Sequence, residues 1–224
     1  MTVPDPNADV SGGDLALARR IVAGDEAAFV ALVRRHHAGF LRLAAVWAKD
    51  AAVAEEVVQE TWLIALERLG EFAGRSALKT WLCGILVNTA RSRVRSERRH
   101  GTAGLVVDDL DAGPDEPAVP AHRFSPPGDR WDGHWALPPV PWPSPEKAFD
   151  RAESRALLAT CLETLPPAQR AVLLLRDVEQ LSAEEACNAL GVSSTHQRVL
   201  LHRARSRMRA LLERHHETTK GVPS

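Results

Sequence analysis

The sequence predicts an all-α protein: two small helical domains joined by a long Pro- and Trp-rich linker, the second domain ending in a helix-turn-helix. Three observations carry this. From Asp14 to Arg99 there is no proline, and Ala, Leu, Arg and Glu dominate, a composition that favours helix. From 101 to 145 the chain turns acidic and then crowds prolines into FSPPGDRWDGHWALPPVPWPSP, which forbids a regular helix or a central strand. Beyond Pro145 helical periodicity resumes and runs into LSAEEACNALGVSSTHQRVLLHRARSRMRALL, Leu181 to Leu212. The boundaries follow: a disordered tail over 1–13, a helical domain over 14–100, the linker over 101–145, a helix-turn-helix domain over 146–216 and a tail over 217–224.

In the first domain Gly24–Asp25 interrupts the opening segment. A helix from Asp25 then carries Phe29, Leu32, Val33, His36 and Phe40 on one side. The next helix, Ala52 to Leu69, sets Val58, Trp62, Ala65, Leu66 and Leu69 on an apolar face, with Glu56, Glu60 and Glu67 opposite. An acidic stripe is most simply a solvated face. After the Gly-containing loop Gly70–Lys79, a helix starts near Thr80. It opens on Trp81, Leu82, Ile85 and Leu86 and closes on Arg91, Arg93, Arg95, Arg98 and Arg99. Arginines at a helix end complement the macrodipole. Five in nine residues, beside an aromatic and an amide, also make the pairing of phosphate neutralisation with stacking that single-stranded DNA requires.

The linker holds Asp108, Asp109, Asp111, Asp115 and Glu116, then Trp131, Trp135 and Trp142, three of the six tryptophans. Tryptophans in a segment with no core of its own are expected to dock on a surface, either this chain's helices or a partner's. In the second domain one helix spans Glu146 to about Thr164, and Pro167 opens the next at a first-turn position. Ser182 and Glu185 form a capping box, Gly191 ends that helix, and Ser193 or Ser194 caps the last one. Leu200, Leu201, Ala204, Met208, Leu211 and Leu212 share its apolar face. In a helix-turn-helix, Ser194, Thr195, His196 and Arg198 would face base edges in the major groove, with Arg203 and Arg205 near phosphates. A plain helical hairpin with a solvated Arg face is the alternative for this stretch alone.

Composition narrows the function classes. The chain has 28 Lys and Arg against 29 Asp and Glu, a net charge of −1, but the two signs lie in separate blocks, and locality decides a nucleic-acid footprint. Cys83, Cys161 and Cys187 form no C-x-x-C pair, which favours buried reduced thiols in a cytoplasmic protein over disulfides or zinc. His36–His37 and His215–His216 lack a partner at ligand spacing, so no metal is expected. Neither a cofactor-binding loop nor a nucleophile–base set is visible, so no enzyme activity is expected. The N-terminus is acidic and lacks an apolar core, and no run approaches the ~20 apolar residues that insert into a membrane.

The segments AEEVVQETW (Ala54–Trp62) and TWLCGILVNTARSRVR (Thr80–Arg95), followed by LPPAQRAVLLLRDVEQLSAEEACNALGVS (Leu165–Ser193) and LLHRARSRMRALL (Leu200–Leu212), resemble the extracytoplasmic-function (ECF) sigma factors of the sigma-70 family. The resemblance implies a protein that binds core RNA polymerase and directs recognition and opening of promoter DNA. Glu56, Gln59 and Glu60 match the segment that grips the β′ clamp helices. Trp81 and Asn88 match positions that open and read the −10 element, and the loop Ala73–Lys79, with Ser76 and Lys79, matches the base-capturing loop. Arg91 and Arg95 extend that −10 surface, and the last helix would read the −35 element as duplex. The β flap and an anti-sigma factor are further implied partners. The acidic linker would follow the RNA exit path, with Trp131, Trp135 and Trp142 as its anchors. Two positions depart from the family: Gln197 stands where an apolar residue is common and Leu200 where a basic one is. The more hydrophilic helix start suggests a different −35 sequence or docking angle. The alternative from another class is a stand-alone helix-turn-helix transcriptional regulator whose first domain senses or dimerises.

Overall fold

The computed structural model of the protein describes residues 6–99 and 151–220, with side chains described over 12–96 and 155–215. The linker acids and Trp131, Trp135 and Trp142 lie outside the described residues. Among the described residues there are eight α-helices and no strand: α1 (Pro6–Val22), α2 (Glu26–Ala44), α3 (Ala51–Arg68), α4 (Leu78–Arg99), α5 (Arg151–Glu163), α6 (Pro167–Leu173), α7 (Ala183–Leu190) and α8 (Ser194–Lys220). Helix α1 begins at Pro6, inside the stretch that composition assigns to the tail, and α8 continues to Lys220. A 3-10 turn, Leu69–Glu71, closes α3, and a π-helical turn, Leu174–Val178, extends α6.

The described residues divide into two compact units that do not follow chain order. One gathers the residues up to 99 with 171–197, and the other gathers 151–170 with 198–220. In the first, aromatic rings anchor the core: Phe40 stacks on Trp62 at 5.1 Å between centroids and Phe29 meets Trp62 edge-on at 6.0 Å. Such pairs add specific geometry to apolar burial. In the same unit Leu43, Val57, Val58, Leu82, Leu86, Val87, Val172 and Leu175 are fully enclosed. Asp25 and Asp50 cap α2 and α3, accepting from the amides of Ala28 at 3.0 Å and Val53 at 2.8 Å, as short side chains with a carboxylate do at helix starts.

The structure overturns two expectations. Leu66 is 41% exposed. The buried side of α3 is Val53, Ala54, Val57, Val58, Thr61, Trp62 and Ala65, and Leu66 falls off it beside Leu63. Gln197 is buried and so is Leu200, because spacings of three and four residues put Gln197, Leu200, Leu201 and Ala204 on one inward face. The hydrophilic residue therefore faces the interior. The second unit buries Cys161, Leu165, Ala168, Leu201, Ala204 and Met208. All three cysteines are free, and burial pushes the Cys83 thiol up to about 12, which makes it unreactive. No helix among the described residues is long and apolar enough to cross a membrane.

Candidate nucleic-acid and polymerase interfaces

Helix α3 presents a mixed acidic and apolar face. Glu56, Gln59, Glu60 and Glu67 are exposed, and Leu63 is 63% exposed. At about 100° per residue these side chains fall within one sector of the helix, with Leu63 near its centre and Leu66 on its edge. Nothing adjacent in the sequence marks Leu63, which lies exposed among these carboxylates. Glu56 pairs with Arg93 of α4, so the acidic face of α3 adjoins the basic end of α4.

Helix α4 starts two residues earlier than Thr80 because its cap comes from elsewhere in the chain. Leu78 donates its amide to the Asp14 carboxylate of α1 at 2.6 Å. The preceding loop turns at Gly74, whose φ of +65° only glycine adopts readily, and a Cβ there would lie 2.6 Å from Leu15 Cδ1. Asp14 and Leu15 thus hold both ends of the loop that carries Ser76. Ser76 is half-buried, with its hydroxyl on the Ala77 carbonyl at 3.4 Å. Trp81, half-buried, lies 5.6 Å from Phe72.

The candidate residues on α4 divide between two faces. Trp81, Asn88 and Arg95 recur at seven-residue spacing and stay within about 40° of one another. Asn88 and Arg95 are exposed. Lys79 and Arg91 are turned elsewhere and are engaged. Lys79 Nζ sits 2.9 Å from the Glu179 carboxylate and donates to the Glu179 carbonyl at 2.6 Å. Arg91 donates to the Leu190 carbonyl at 2.7 Å and its guanidinium lies 5.8 Å from the Trp47 ring centroid. Burial first, and then the Arg95 charge, lower the Arg91 pKa. Thr80, between them in the chain, donates to Glu185 at 2.7 Å. Glu179 and Glu185 are not among the residues that the sequence nominates for a site, and nothing local marks Glu179.

The helix-turn-helix signals appear locally as read. Ser182 and Glu185 complete a capping box, with the Glu185 amide on the Ser182 hydroxyl at 3.2 Å and the Ser182 amide on the Glu185 carboxylate at 2.8 Å. Gly191 takes the left-handed conformation at φ 67°, and Ser193 caps α8 through the His196 amide at 3.2 Å. Ser194, Thr195, Arg198 and Arg205 are exposed; His196 and Arg203 are half-buried.

The Sigma-70 region 2 model matches residues 32–100 and the Sigma-70 region 4 model matches residues 155–208. The chain belongs to the sigma-70 family, as an ECF sigma factor. It is 31% identical over 178 residues to the RNA polymerase sigma-H factor of Pseudomonas aeruginosa, covering 79% of this chain and 82% of that one. It is 35% identical over 165 residues to the ECF RNA polymerase sigma factor SigG of Mycobacterium tuberculosis, covering 70% of this chain but 41% of that longer protein. The fold matches that of the sigma factor RpoE of Bartonella quintana, solved in complex with the anti-sigma factor NepR, with a TM-score of 0.54 at 21% identity over 83% of this chain and 96% of that one. This sigma factor is a transcription initiation factor with a region 2 that contains α3 and α4 and a region 4 that contains α7.

Proposed function

We propose that this sigma factor binds core RNA polymerase through Glu56, Gln59 and Glu60 of α3, opens and reads the −10 element with α4 and its preceding loop, and reads the −35 element with the start of α8. The observation that carries this reading is the adjacency of two unlike helices in region 2. An exposed acidic face with Leu63 at its centre lies beside a helix that exposes Asn88 and Arg95. A regulator that binds duplex DNA alone has no use for that pair. Leu63 is added as the apolar anchor of the polymerase contact, since contact energy concentrates in a few desolvated side chains framed by polar ones. On α4, Trp81 and Asn88 supply stacking and an amide for a base drawn out of the duplex. Unstacking a base costs a few kcal/mol, which stacking and edge hydrogen bonds must return. Lys79, Arg91 and Arg95 supply phosphate contacts and Ser76 lines the loop.

At the −35 element Ser194, Thr195, His196 and Arg198 meet base edges while Arg203 and Arg205 meet phosphates. Phosphates fix register and base edges give specificity. The polymerase performs the chemistry and this chain is not itself an enzyme. It works in the cytoplasm, where an anti-sigma factor restrains it, and the β flap is the region 4 contact on the polymerase. The linker lies along the RNA exit path, its acids standing in for transcript and its tryptophans anchoring it. Run-off transcription with core polymerase tests the reading. Promoter-specific transcript is expected only when this chain is added, and its absence in both arms would refute it.

A further inference from the structure

The loop between α3 and α4 takes its shape from a helix that precedes the region 2 match. Helix α1 ends at Val22 and the match begins at residue 32, yet α1 belongs to the same compact unit and meets the loop twice. Leu78, the first residue of α4, donates its amide to the Asp14 carboxylate at 2.6 Å. That bond satisfies one of the amides a helix start leaves without a partner. One residue further along α1, the Leu15 side chain lies against Gly74. A Cβ on Gly74 would come within 2.6 Å of Leu15 Cδ1 and 2.8 Å of its Cγ, and Gly74 holds φ at +65°, a backbone that other residues seldom adopt.

Helix α1 is itself firmly seated. Ala18 and Ile21 are buried, and spacings of four and seven residues put them on the same stripe as Asp14. Near its end Arg20 pairs at 2.6 Å with Asp25, the cap of α2. On the other side of the loop Phe72 is buried, with its ring 5.6 Å from Trp81. The stretch 73–77 is therefore held at its start by Phe72, in its middle by Leu15 and at its end by the Asp14 cap. It leaves Ala73 and Arg75 exposed and Ser76 and Ala77 half-buried.

We infer that α1 is a positioning element for base capture: Asp14 and Leu15 fix the stretch 73–77 in the shape that selects one base of the opened strand, without touching DNA themselves. The inference rests on the reading of Ala73–Lys79 as the base-capturing loop. A loop that must order itself around an extruded base spends binding energy on that ordering, and a loop already fixed does not. Selectivity depends on the same rigidity. A loose loop adapts to whichever base arrives, whereas a fixed one leaves polar groups of the wrong base unpaired. The phosphate contacts assigned to Arg91 and Arg95 carry no base information. Loosening the loop therefore lowers selectivity at one position and leaves the rest of the strand contact in place.

The test uses holoenzyme reconstituted from core polymerase and the full chain, with a short randomised single-stranded deoxyoligonucleotide pool as probe. Sequencing the bound and unbound fractions gives the base preference at each position. Arg75→Ala combined with Ser76→Ala marks the position that the loop reads, as the one whose preference falls. Leu15→Ala and Asp14→Ala are each expected to lower preference at that same position at least about fivefold, with the other positions and the amount of pool bound unchanged. Asp14→Asn keeps an acceptor oxygen for the Leu78 amide and is expected to retain the wild-type profile. Unchanged selectivity in either alanine variant overturns the inference. An even loss across all positions does so too, since that is what a merely structural role would give. If Arg75→Ala with Ser76→Ala moves no preference, the loop does not read a base, and the positioning role falls with that reading.

Discussion

Glu179 illustrates how one carboxylate decides the behaviour of its neighbourhood. Burial pushes its pKa up, but hydrogen bonds and charge from Lys79 and Arg42 outweigh that and hold it below the ordinary 4.5. Glu185 is likewise raised by burial and lowered more by Ser182, Thr80 and Lys79. A carboxylate whose pKa is depressed in the folded state stabilises that state fully above its ordinary pKa and loses this as pH falls through the lowered value. His36, which also faces Lys79 and Glu179, is lowered first by burial and then by Lys79, so it adds no charge change above its usual range. Opening of α7, read by amide exchange, should therefore stay constant from neutral pH down to about 5 and increase below about 4.5. An increase centred near pH 6 would point to a histidine instead. Asp14 acts at the same scale. Replacing it by Ala removes the cap from Leu78 and should cost about 0.5–2 kcal/mol, as lost N-caps do, read as a lower Tm. Asp14→Asn should restore much of it.

At the scale of elements, legibility follows how local the signal is. The cap, Gly and Ser signals of α7 and α8 lie within a few residues of the helices they delimit, and each appears in the structure at its expected position. Read locally, α4 begins at Thr80, because its cap, Asp14, lies 64 residues away. Leu66 continues an apolar spacing and so reads as core, but the buried sector of α3 is already filled by Thr61, Trp62 and Ala65. The engagement of Lys79 and Arg91 is not legible at all, since basic residues at these spacings read equally as solvated. Two element-scale outcomes follow. Reversing Glu56 and Glu60 to Lys should abolish capture of core polymerase while moving stability by only about 0.5–1 kcal/mol, because both are exposed and the Glu56–Arg93 pair is a surface one. Capture at the wild-type level would contradict the assignment of α3. On α8, Thr195→Ala should change preference at one or two base pairs. Arg203→Ala and Arg205→Ala should each flatten the salt dependence by about one phosphate contact across all sequences.

For the whole molecule, the proposed function divides promoter engagement between regions 2 and 4 of this sigma factor, with α8 reading the duplex and α4 the open strand. The division is written in side-chain type, with arginines and short polar groups on α8 and an aromatic, an amide and engaged cations on α4. Asn88 is the residue that tests this proposal most directly, being exposed and on the Trp81–Arg95 stripe. The decisive experiment is run-off transcription by holoenzyme carrying Asn88→Ala, compared on a duplex promoter and on the same promoter with its −10 region already unpaired. A deficit on the duplex, recovery on the pre-opened template and unchanged affinity for the −35 duplex are expected. Loss of −35 affinity with normal opening would contradict the division of roles between α4 and α8.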